Sequence, residues 1–228
     1  MVGLDIGCGG GDVAFDLARL VEPGGRVVAM DLDKVKIEIA RGEASAQQIE
    51  NIEFRIADVG DCELGAQFDF AHARFILSHL QNPERTLAKL WEAVRPGGVV
   101  VVTDTDFRGF FSEPNSPVVR EHAELYTQTL RQRGGDANIG PRLPGLLTKS
   151  GFENVQTSVV QMAAMRGEVK LMTPITMENI AEAVIAEGLA SQADVDRIVA
   201  ELYEFARDPN TLLSGPRIIE AWAYRPEA

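Results

Sequence analysis

Four residues near the start of the chain have a spacing that suits a ligand-binding turn. The segment DIGCGGG places Asp5 two residues before Gly7, and Gly9 and Gly11 follow at the same interval. A glycine-rich turn between a strand and a helix commonly binds a nucleotide, because small residues let the backbone approach the ligand closely. The segment therefore predicts a nucleotide-binding turn at the end of the first strand.

The register of the glycines separates two classes of nucleotide. A dinucleotide-binding G-x-G-x-x-G motif that began at Gly7 would need a glycine where the chain has Asp12. A motif that began at Gly9 satisfies the looser G-x-G-x-x-A form through Ala14, but the residues DIG then separate the strand from the motif. The pattern D-x-G-x-G-x-G fits from Asp5 onward without a gap, which makes Asp5 the deciding residue.

Strand and helix signals alternate through the first half of the chain, which predicts a parallel sheet with helices on both faces. Ligands of such sheets bind at the carboxyl ends of the strands, and a polar residue lies near each of these ends. The predicted strands span residues 2–6, 26–33, 52–58, 68–75 and 99–106, with Asp5, Asp31, Asp58, Arg74 and Asp104 at or near their ends.

The second half of the chain predicts further helices and two more strands. They are a helix over 116–135, a short helix within 139–152, a strand over 153–162, two helices that begin at Thr176 and Ser191, and a last strand over 217–226.

Together these segments resemble the class I S-adenosylmethionine-dependent methyltransferases, and among them a small-molecule methyltransferase subgroup. After the glycine turn, the family's usual order is matched by VVAMDLD, RIAD, FDFAHARFILSHLQNP and LWEAVRPGGVVVVTD, over about residues 2–105. The segment RGGDANIGPRLPGLLTKSGFENV resembles the later part of the subgroup. The resemblance implies an α/β, Rossmann-like three-layer sandwich with a mostly parallel seven-stranded sheet. The implied strand order is 3-2-1-4-5-7-6, with the last strand antiparallel.

The resemblance also implies an activity and a cofactor. The protein would transfer a methyl group from S-adenosyl-L-methionine to an oxygen, carbon or nitrogen atom of a small organic acceptor. In such proteins the acid after the second strand binds both ribose hydroxyls, a charge-assisted arrangement that Asp31 would make here. The residues that the resemblance assigns to the cofactor are Asp5, Gly7, Cys8, Gly9, Gly11, Asp31, Leu32, Asp58, Val59, Arg74 and Phe75.

Candidate catalytic residues on the acceptor side come from position rather than from a motif. His79 begins the turn after the fourth strand, and Asp106 follows the fifth strand together with Asp104. His122 lies on the helix expected over the mouth of the site, one turn before Tyr126. We expect the pair on this helix to act as a base or to orient the acceptor.

Aromatic residues after the fifth strand are expected to line an apolar acceptor pocket; they are Phe107, Phe110 and Phe111. His72 is flanked by alanines within a strand, which predicts a packed core residue. Cys8 is expected to fill space in the turn rather than to act as a nucleophile.

Length and composition limit the remaining possibilities. A chain of 228 residues with 45% hydrophobic residues predicts a single domain over 1–228. Within it, residues 1–105 would form the cofactor-binding core, and 106–150 and 166–210 acceptor-side helical elaborations. The two helices near 176–208 would cap the acceptor pocket, form a homodimer face or serve packing alone. The net charge of −12 argues against nucleic acid as the main partner. Two cysteines, no apolar membrane span and no signal peptide favour the cytoplasm, and no metal site is expected.

Two other functions remain open from the sequence. One is an NAD(P)-dependent oxidoreductase on a related fold, and the other is a non-catalytic cofactor-binding protein. The resemblance implies a helical segment before the first strand, whereas that strand here is predicted to start at residue 2. We expect either that the chain is clipped, or that another chain or a rearranged helix covers the site.

Overall fold

A seven-stranded sheet forms the centre of the computed structural model, which describes residues 1–227. A second, three-stranded sheet is built from short strands. In chain order the strands are β1 (Val2–Ile6), β2 (Arg26–Asp31), β3 (Ile52–Ile56), β4 (Phe68–Arg74), β5 (Val94–Asp106), β6 (Ser112–Glu113), β7 (Glu153–Val160), β8 (Ala163–Ala164), β9 (Leu212–Ser214) and β10 (Arg217–Tyr224).

The large sheet has the order β3-β2-β1-β4-β5-β10-β7. Strands β1 to β5 pair in parallel, whereas β10 is antiparallel to both of its neighbours. Because β6, β8 and β9 belong to the small sheet, β7 and β10 are the sixth and seventh strands of the large one. The predicted order 3-2-1-4-5-7-6, with an antiparallel last strand, is therefore confirmed.

The helices follow the predicted order, with one shifted start. The helix predicted to begin at Thr176 begins eight residues earlier and accommodates Pro174 within its length. Among residues 1–227, no helix is both long and apolar enough to cross a membrane. The helices are α1 (Asp12–Leu20), α2 (Lys34–Ala46), α3 (Pro83–Ala93), α4 (Pro117–Gln132), α5 (Leu143–Lys149), α6 (Glu168–Ala186) and α7 (Gln192–Arg207).

Alternating residues of the central strands cover the two faces of the sheet. Leu4 of β1 packs in one core with Leu90 of α3 and Leu147 of α5. Val27 of β2 belongs to a core on α1, where it is grouped with Ala18. Each buried leucine or valine side chain contributes about 1.5–3 kcal/mol, so the sheet holds its strand ends in fixed relative positions.

Helices α4, α6 and α7 form a separate apolar core. It groups Val119 of α4 with Met177 of α6 and Ile198 of α7, all nearly or completely buried. Ser191, the predicted start of α7, forms a capping box with Asp194. Helices α4 and α6 of this core share a cavity with residues at the carboxyl ends of β4 and β5.

Candidate functional site

Two hollows at the carboxyl ends of β1, β2 and β4 share Gly7, and together they are called the strand-edge cleft. Their volumes are about 80 and 150 Å³. The first is lined by Ile6, Gly7, Met30, Asp31, Leu32, Ala57, Asp58, Val59, Ile76 and Leu80. The second is lined by Asp5, Gly7, Cys8, Asp12, Val13, His72, Arg74 and Phe75. All but two of the residues predicted to bind the cofactor line this cleft; Gly9 and Gly11 lie in the same turn.

The glycine turn needs its small residues for two different reasons. Gly7 has a φ of +66°, and a Cβ there would lie 2.9 Å from the side chain of Ile76. Gly9 has a φ of +53° but nothing within 4 Å of its Cβ position. The first glycine is thus required by packing, and the second leaves open space through which a ligand can reach the backbone.

Asp31, at the end of β2, is bonded to the glycine turn. Its Oδ2 accepts a hydrogen bond from the Gly9 N–H at 2.8 Å, and its Oδ1 accepts one from the Asp33 N–H at 2.9 Å. Each oxygen of an ionised carboxylate has two lone pairs, so each can accept one more bond. A vicinal pair of hydroxyls suits these two remaining positions.

Asp58 follows β3 and lines the same hollow as Asp31. Its Oδ1 accepts a hydrogen bond from the Gly60 N–H at 2.7 Å and so caps a short 3₁₀ turn. Asp58 therefore caps a turn and lines the cleft at the same time.

Asp5 and His72 form a pair on adjacent strands, which the sequence did not predict. They are direct register partners of β1 and β4, and Asp5 Oδ1 lies 2.8 Å from His72 Nδ1. His72 was expected in the core, but its ring lies in the cleft with 12% of its side chain exposed. Asp5 is 2% exposed, and its Oδ2 has no hydrogen-bond partner among the described residues. A cationic group of a ligand suits this free, buried oxygen.

Cys8 is a poor nucleophile in this turn. Burial, with Asp5 and Asp31 nearby, raises the pKa of its thiol to about 12. The thiol therefore stays protonated at neutral pH, which fits the space-filling role expected of Cys8.

Phe75 joins the cleft to a second space. It follows β4 with a φ of +54°, an uncommon conformation for a bulky residue, and the Arg74 guanidinium lies 4.6 Å from its ring centre. Its N–H donates to the Thr103 carbonyl at 2.8 Å, which holds the turn against β5. Backbone strain of this kind is concentrated at ligand sites. Phe75 lines both the cleft and the neighbouring cavity.

The neighbouring space, called the apolar cavity, has a volume of about 200 Å³. The end of β5 and the following turn, helices α4 and α6, and the approach to β10 build its wall. Besides Phe75, its lining residues are Ser78, His79, Asp104, Thr105, Phe107, Phe110, His122, Tyr126, Met162, Met172, Thr173, Thr176, Gly215, Pro216 and Ile218.

Aromatic rings form one side of the apolar cavity. The Phe107 and Tyr126 rings are stacked with centroids 4.1 Å apart. Phe110 lies 5.2 Å from Phe107 and meets the His122 ring edge-on at 6.0 Å. Phe111, which was expected beside them, is 46% exposed and is not among the residues that line the cavity.

His122 is the least satisfied polar group of the cavity. Its side chain is fully buried, and neither ring nitrogen has a hydrogen-bond partner among the described residues. Burial lowers the pKa of His122 to about 4, so the imidazole is neutral at pH 7. An unpaired buried polar group costs about 1–3 kcal/mol, which a suitable ligand would offset.

The buried His122 gives the protein a pH-dependent stability of defined sign. Its pKa is about 4 when folded and 6.5 when unperturbed, so between these values the unfolded chain binds more protons. Lowering the pH from 7 to 4 should therefore remove about 2–4 kcal/mol of stability through this group. Burial also lowers the pKa of His79, which adds to the effect, and raises that of Asp104, which opposes it.

The measurement is urea unfolding of the wild type and His122→Gln between pH 4 and 7. Between pH 7 and pH 4, the unfolding free energy of His122→Gln should fall less than that of the wild type. Parallel profiles would show that His122 does not titrate differently in the two states.

Three further titratable groups line the cavity. Asp104 is fully buried, and its oxygens accept from the Ser78 and Thr105 N–H groups, both at 2.9 Å. Burial raises the pKa of Asp104 and lowers that of His79, so both shifts disfavour charge. Burial and Asp104 raise the pKa of Tyr126 to about 12, which keeps its hydroxyl protonated.

Asp106 does not reach the apolar cavity, which removes it from the predicted catalytic residues. Its carboxylate is fully buried between Arg108 Nε at 2.7 Å and Arg217 Nη2 at 2.6 Å. Asp104 and Thr105 line the cavity, whereas the two ion pairs hold the Asp106 carboxylate away from it. Its role is to join the end of β5 to the start of β10.

The individual residues that form the α6 wall of the cavity were not predicted, although 166–210 was expected on the acceptor side. Met172, Thr173 and Thr176 line it, together with Met162 after β7. The helix was expected to begin at Thr176, so the residues before Pro174 were not placed in it. The apolar pair Leu171 and Met172 beside Lys170 was the available sign in the sequence that this segment packs against the domain.

Comparison with known proteins identifies the family of the chain. The model of the family described as "Methyltransferase domain" matches residues 1–137, more than half of the chain. The chain belongs to this family. An O-methyltransferase of Penicillium expansum is 28% identical, over 69% of this chain and 54% of that protein. Methyltransferase-domain membership and the strand-edge cleft thus agree with the family resemblance of the sequence.

Solved structures show the same fold. The YcgJ protein of Bacillus subtilis has a TM-score of 0.65 at 14% identity, over 100% of this chain and 92% of that chain. A phosphoethanolamine N-methyltransferase 2 of Haemonchus contortus, solved with S-adenosyl-L-methionine, has a TM-score of 0.61 at 22% identity, over 99% and 49%. The chain spans about half the length of the first curated relatives it matches.

Proposed function

We propose that the chain binds S-adenosylmethionine in the strand-edge cleft and transfers its methyl group to a small organic acceptor in the apolar cavity. The observation that carries the proposal is the junction of the two spaces at Phe75. A methyltransferase must hold donor and acceptor side by side, and most of its rate gain comes from their alignment. Membership of the methyltransferase-domain family supports this proposal, as does the similarity to a Penicillium protein named as an O-methyltransferase.

The residues present in the cleft fit the cofactor. Asp31 retains two acceptor positions for the ribose hydroxyls, and Asp58 can accept from the adenine amine across the same hollow. Asp5, whose Oδ2 has no hydrogen-bond partner within residues 1–227, would bind the ammonium of the methionine part, with His72 beside it. The open backbone at Gly9 leaves room for the amino-acid end. When bound, the sulfonium supplies an electrophilic methyl group.

The chain's own contribution to transfer is to position the acceptor and to exclude water. Part of the wall of the apolar cavity comes from 106–150 and from the α6 part of 166–210, which supports their assignment as acceptor-side elaborations. His79 and His122 both line this cavity, so they remain the proposed catalytic residues, whereas Asp106 does not. The cytoplasmic location and the homodimer stay predictions, because a single chain does not test them.

Cofactor choice is tested by thermal shift and calorimetry with S-adenosylhomocysteine and with NADH. We expect S-adenosylhomocysteine to raise the melting temperature, because a ligand at one hundred times its Kd stabilises the folded state by about 2.7 kcal/mol. NADH should have no effect. Stabilisation by NADH alone would favour the oxidoreductase and overturn the proposal.

Turnover is tested separately, with methyl-labelled S-adenosylmethionine and a panel of small hydroxyl, amine and carbon acceptors. Labelled product from any acceptor would support methyl transfer. Cofactor binding without labelled product across the panel would favour a non-catalytic cofactor-binding protein.

A further inference from the structure

We infer that the acceptor is a neutral, ring-sized apolar molecule with a hydroxyl group, and that this hydroxyl binds the imidazole of His122. The inference rests on the proposed function, because it concerns the molecule that occupies the apolar cavity. It goes further by naming the chemical class of that molecule and the residue that holds it.

The size of the cavity sets the size of the acceptor. Its volume of about 200 Å³ exceeds the roughly 150 Å³ of an apolar protein cavity that accommodates benzene. One six-membered ring with a short substituent therefore fills it. Met162 and Met172 lie on the wall, and their flexible side chains can adjust to the shape of that substituent.

The shape of the cavity favours a flat acceptor. The stacked Phe107 and Tyr126 rings and the edge-on contact between Phe110 and His122 form a continuous aromatic surface. A planar ring gains offset-stacked or edge-to-face contacts with such a surface in addition to the burial of its area. A flexible chain of the same volume would lose more conformational entropy on entry.

The charges around the cavity exclude a charged acceptor. Among residues 1–227, none of the side chains that line the cavity belongs to lysine or arginine, so an anion would lack a cationic partner. The one acid is Asp104, whose oxygens accept N–H bonds from Ser78 and Thr105 and whose ionised form burial disfavours. A cationic amine would therefore depend on a single buried carboxylate whose own charge is costly, which is unfavourable. A neutral molecule avoids both penalties.

His122 selects a hydroxyl among neutral groups. A neutral imidazole has one N–H donor and one acceptor nitrogen, and both atoms are buried without a partner among the described residues. A hydroxyl donates one hydrogen bond and accepts others, so it matches an unpaired ring nitrogen of either kind. Tyr126 is one helical turn away, and its hydroxyl stays protonated, so it can orient the acceptor but cannot take its proton.

The contact between the acceptor hydroxyl and His122 also gives the hydroxyl proton a base to move to during methyl transfer. The acceptor oxygen forms its bond to the methyl carbon as the bond from that carbon to sulfur breaks, and the sulfur leaves as a neutral thioether. The hydroxyl proton passes to the acceptor nitrogen of His122, which becomes an imidazolium and later releases the proton to water. A weakly basic imidazole suffices, because the hydroxyl becomes strongly acidic as its oxygen is methylated.

Three single-ring probes that differ in charge test the inference: 4-ethylphenol, 4-ethylbenzoate and 4-ethylbenzylamine. Binding is measured by NMR titration of the full chain in the presence of S-adenosylhomocysteine, with the nitrogen shifts of the histidine rings as the site-specific readout. We expect 4-ethylphenol to bind most tightly and to move the His122 ring resonances.

Two variants of one residue provide matched controls. His122→Phe replaces the imidazole by an aromatic ring without polar atoms. It should weaken the binding of 4-ethylphenol about tenfold, as expected for the loss of one buried hydrogen bond. His122→Gln keeps a donor and an acceptor, and it should retain most of the affinity. Both variants should bind S-adenosylhomocysteine as the wild type does, which shows that the cleft is intact.

The outcomes separate the two claims. A wild type that does not bind S-adenosylhomocysteine overturns the proposed function. A wild type that binds it, but prefers the benzoate or the benzylamine or binds none of the three probes, overturns the acceptor class alone. Equal affinity of His122→Phe and the wild type for 4-ethylphenol removes His122 from the contact.

Discussion

Asp31→Ala should weaken the binding of S-adenosylhomocysteine by about 2 kcal/mol, or roughly 30-fold. The substitution removes a carboxylate that can accept two ribose hydroxyls, and hydrogen bonds to charged groups contribute more than neutral ones. It also removes the 2.8 Å hydrogen bond that the Gly9 N–H donates to Asp31 Oδ2, so the backbone of the glycine turn is held less firmly. Isothermal titration calorimetry measures the change directly.

Asp33→Ala is the matched control for this prediction. Asp33 is an exposed acid two residues away that accepts from the Val35 and Lys36 N–H groups and caps α2. Its loss should lower stability by about 1 kcal/mol, as for other helix caps, and leave cofactor affinity nearly unchanged. If both variants bind S-adenosylhomocysteine as the wild type does, Asp31 does not hold the ribose.

The cofactor side of the site could be predicted because its determinants are local in the sequence. Glycines at positive φ must follow the strand that they terminate, as Gly7 and Gly9 do here. Parallel strands then bring their ends to one edge, so Asp31 and Asp58 meet in one hollow although 27 positions separate them. The strand order also followed from this alternation together with the family resemblance.

The Asp5–His72 pair was missed for a reason of register. Alanines on both sides of His72 suggested a core position, but strand alternation turns His72 to the side on which Asp5 lies. Only the pairing of β1 with β4 shows that the two residues are direct neighbours. A sequence without its register cannot show which polar residues of adjacent strands share a face.

The acceptor side could be predicted only in part, because tertiary packing determines it. His122, Tyr126 and Asp104 were expected near one another and do line one cavity. Asp106 belongs to the same motif as Asp104. Its carboxylate, however, forms an ion pair with Arg217, which lies more than one hundred residues later in the chain. The choice between two acids of one strand end thus depends on a distant residue.

Lys170 ties the acceptor-side helices to the rest of the domain. Its side chain is 0% exposed, and its ammonium donates to the Thr211 hydroxyl at 2.6 Å and to the Asp208 carbonyl at 2.7 Å. The carbonyls of Thr211 and Met165 lie at 3.0 and 3.3 Å. These contacts join the first turn of α6 to the loop after α7. They hold α6, and with it Met172 of the cavity wall, in place.

Lys170→Met should lower the free energy of unfolding by about 2–4 kcal/mol. Replacing a whole buried ion pair by apolar residues is often tolerated, but here the partners are three backbone carbonyls and the Thr211 hydroxyl, which remain and lose their donor. Urea unfolding measures the shift in midpoint at constant slope. Lys149→Met, at an exposed position on α5, is the matched control and should change stability by no more than about 0.5 kcal/mol. Equal midpoints for the two variants would show that the buried ammonium does not anchor α6, and that apolar packing alone holds the cavity wall.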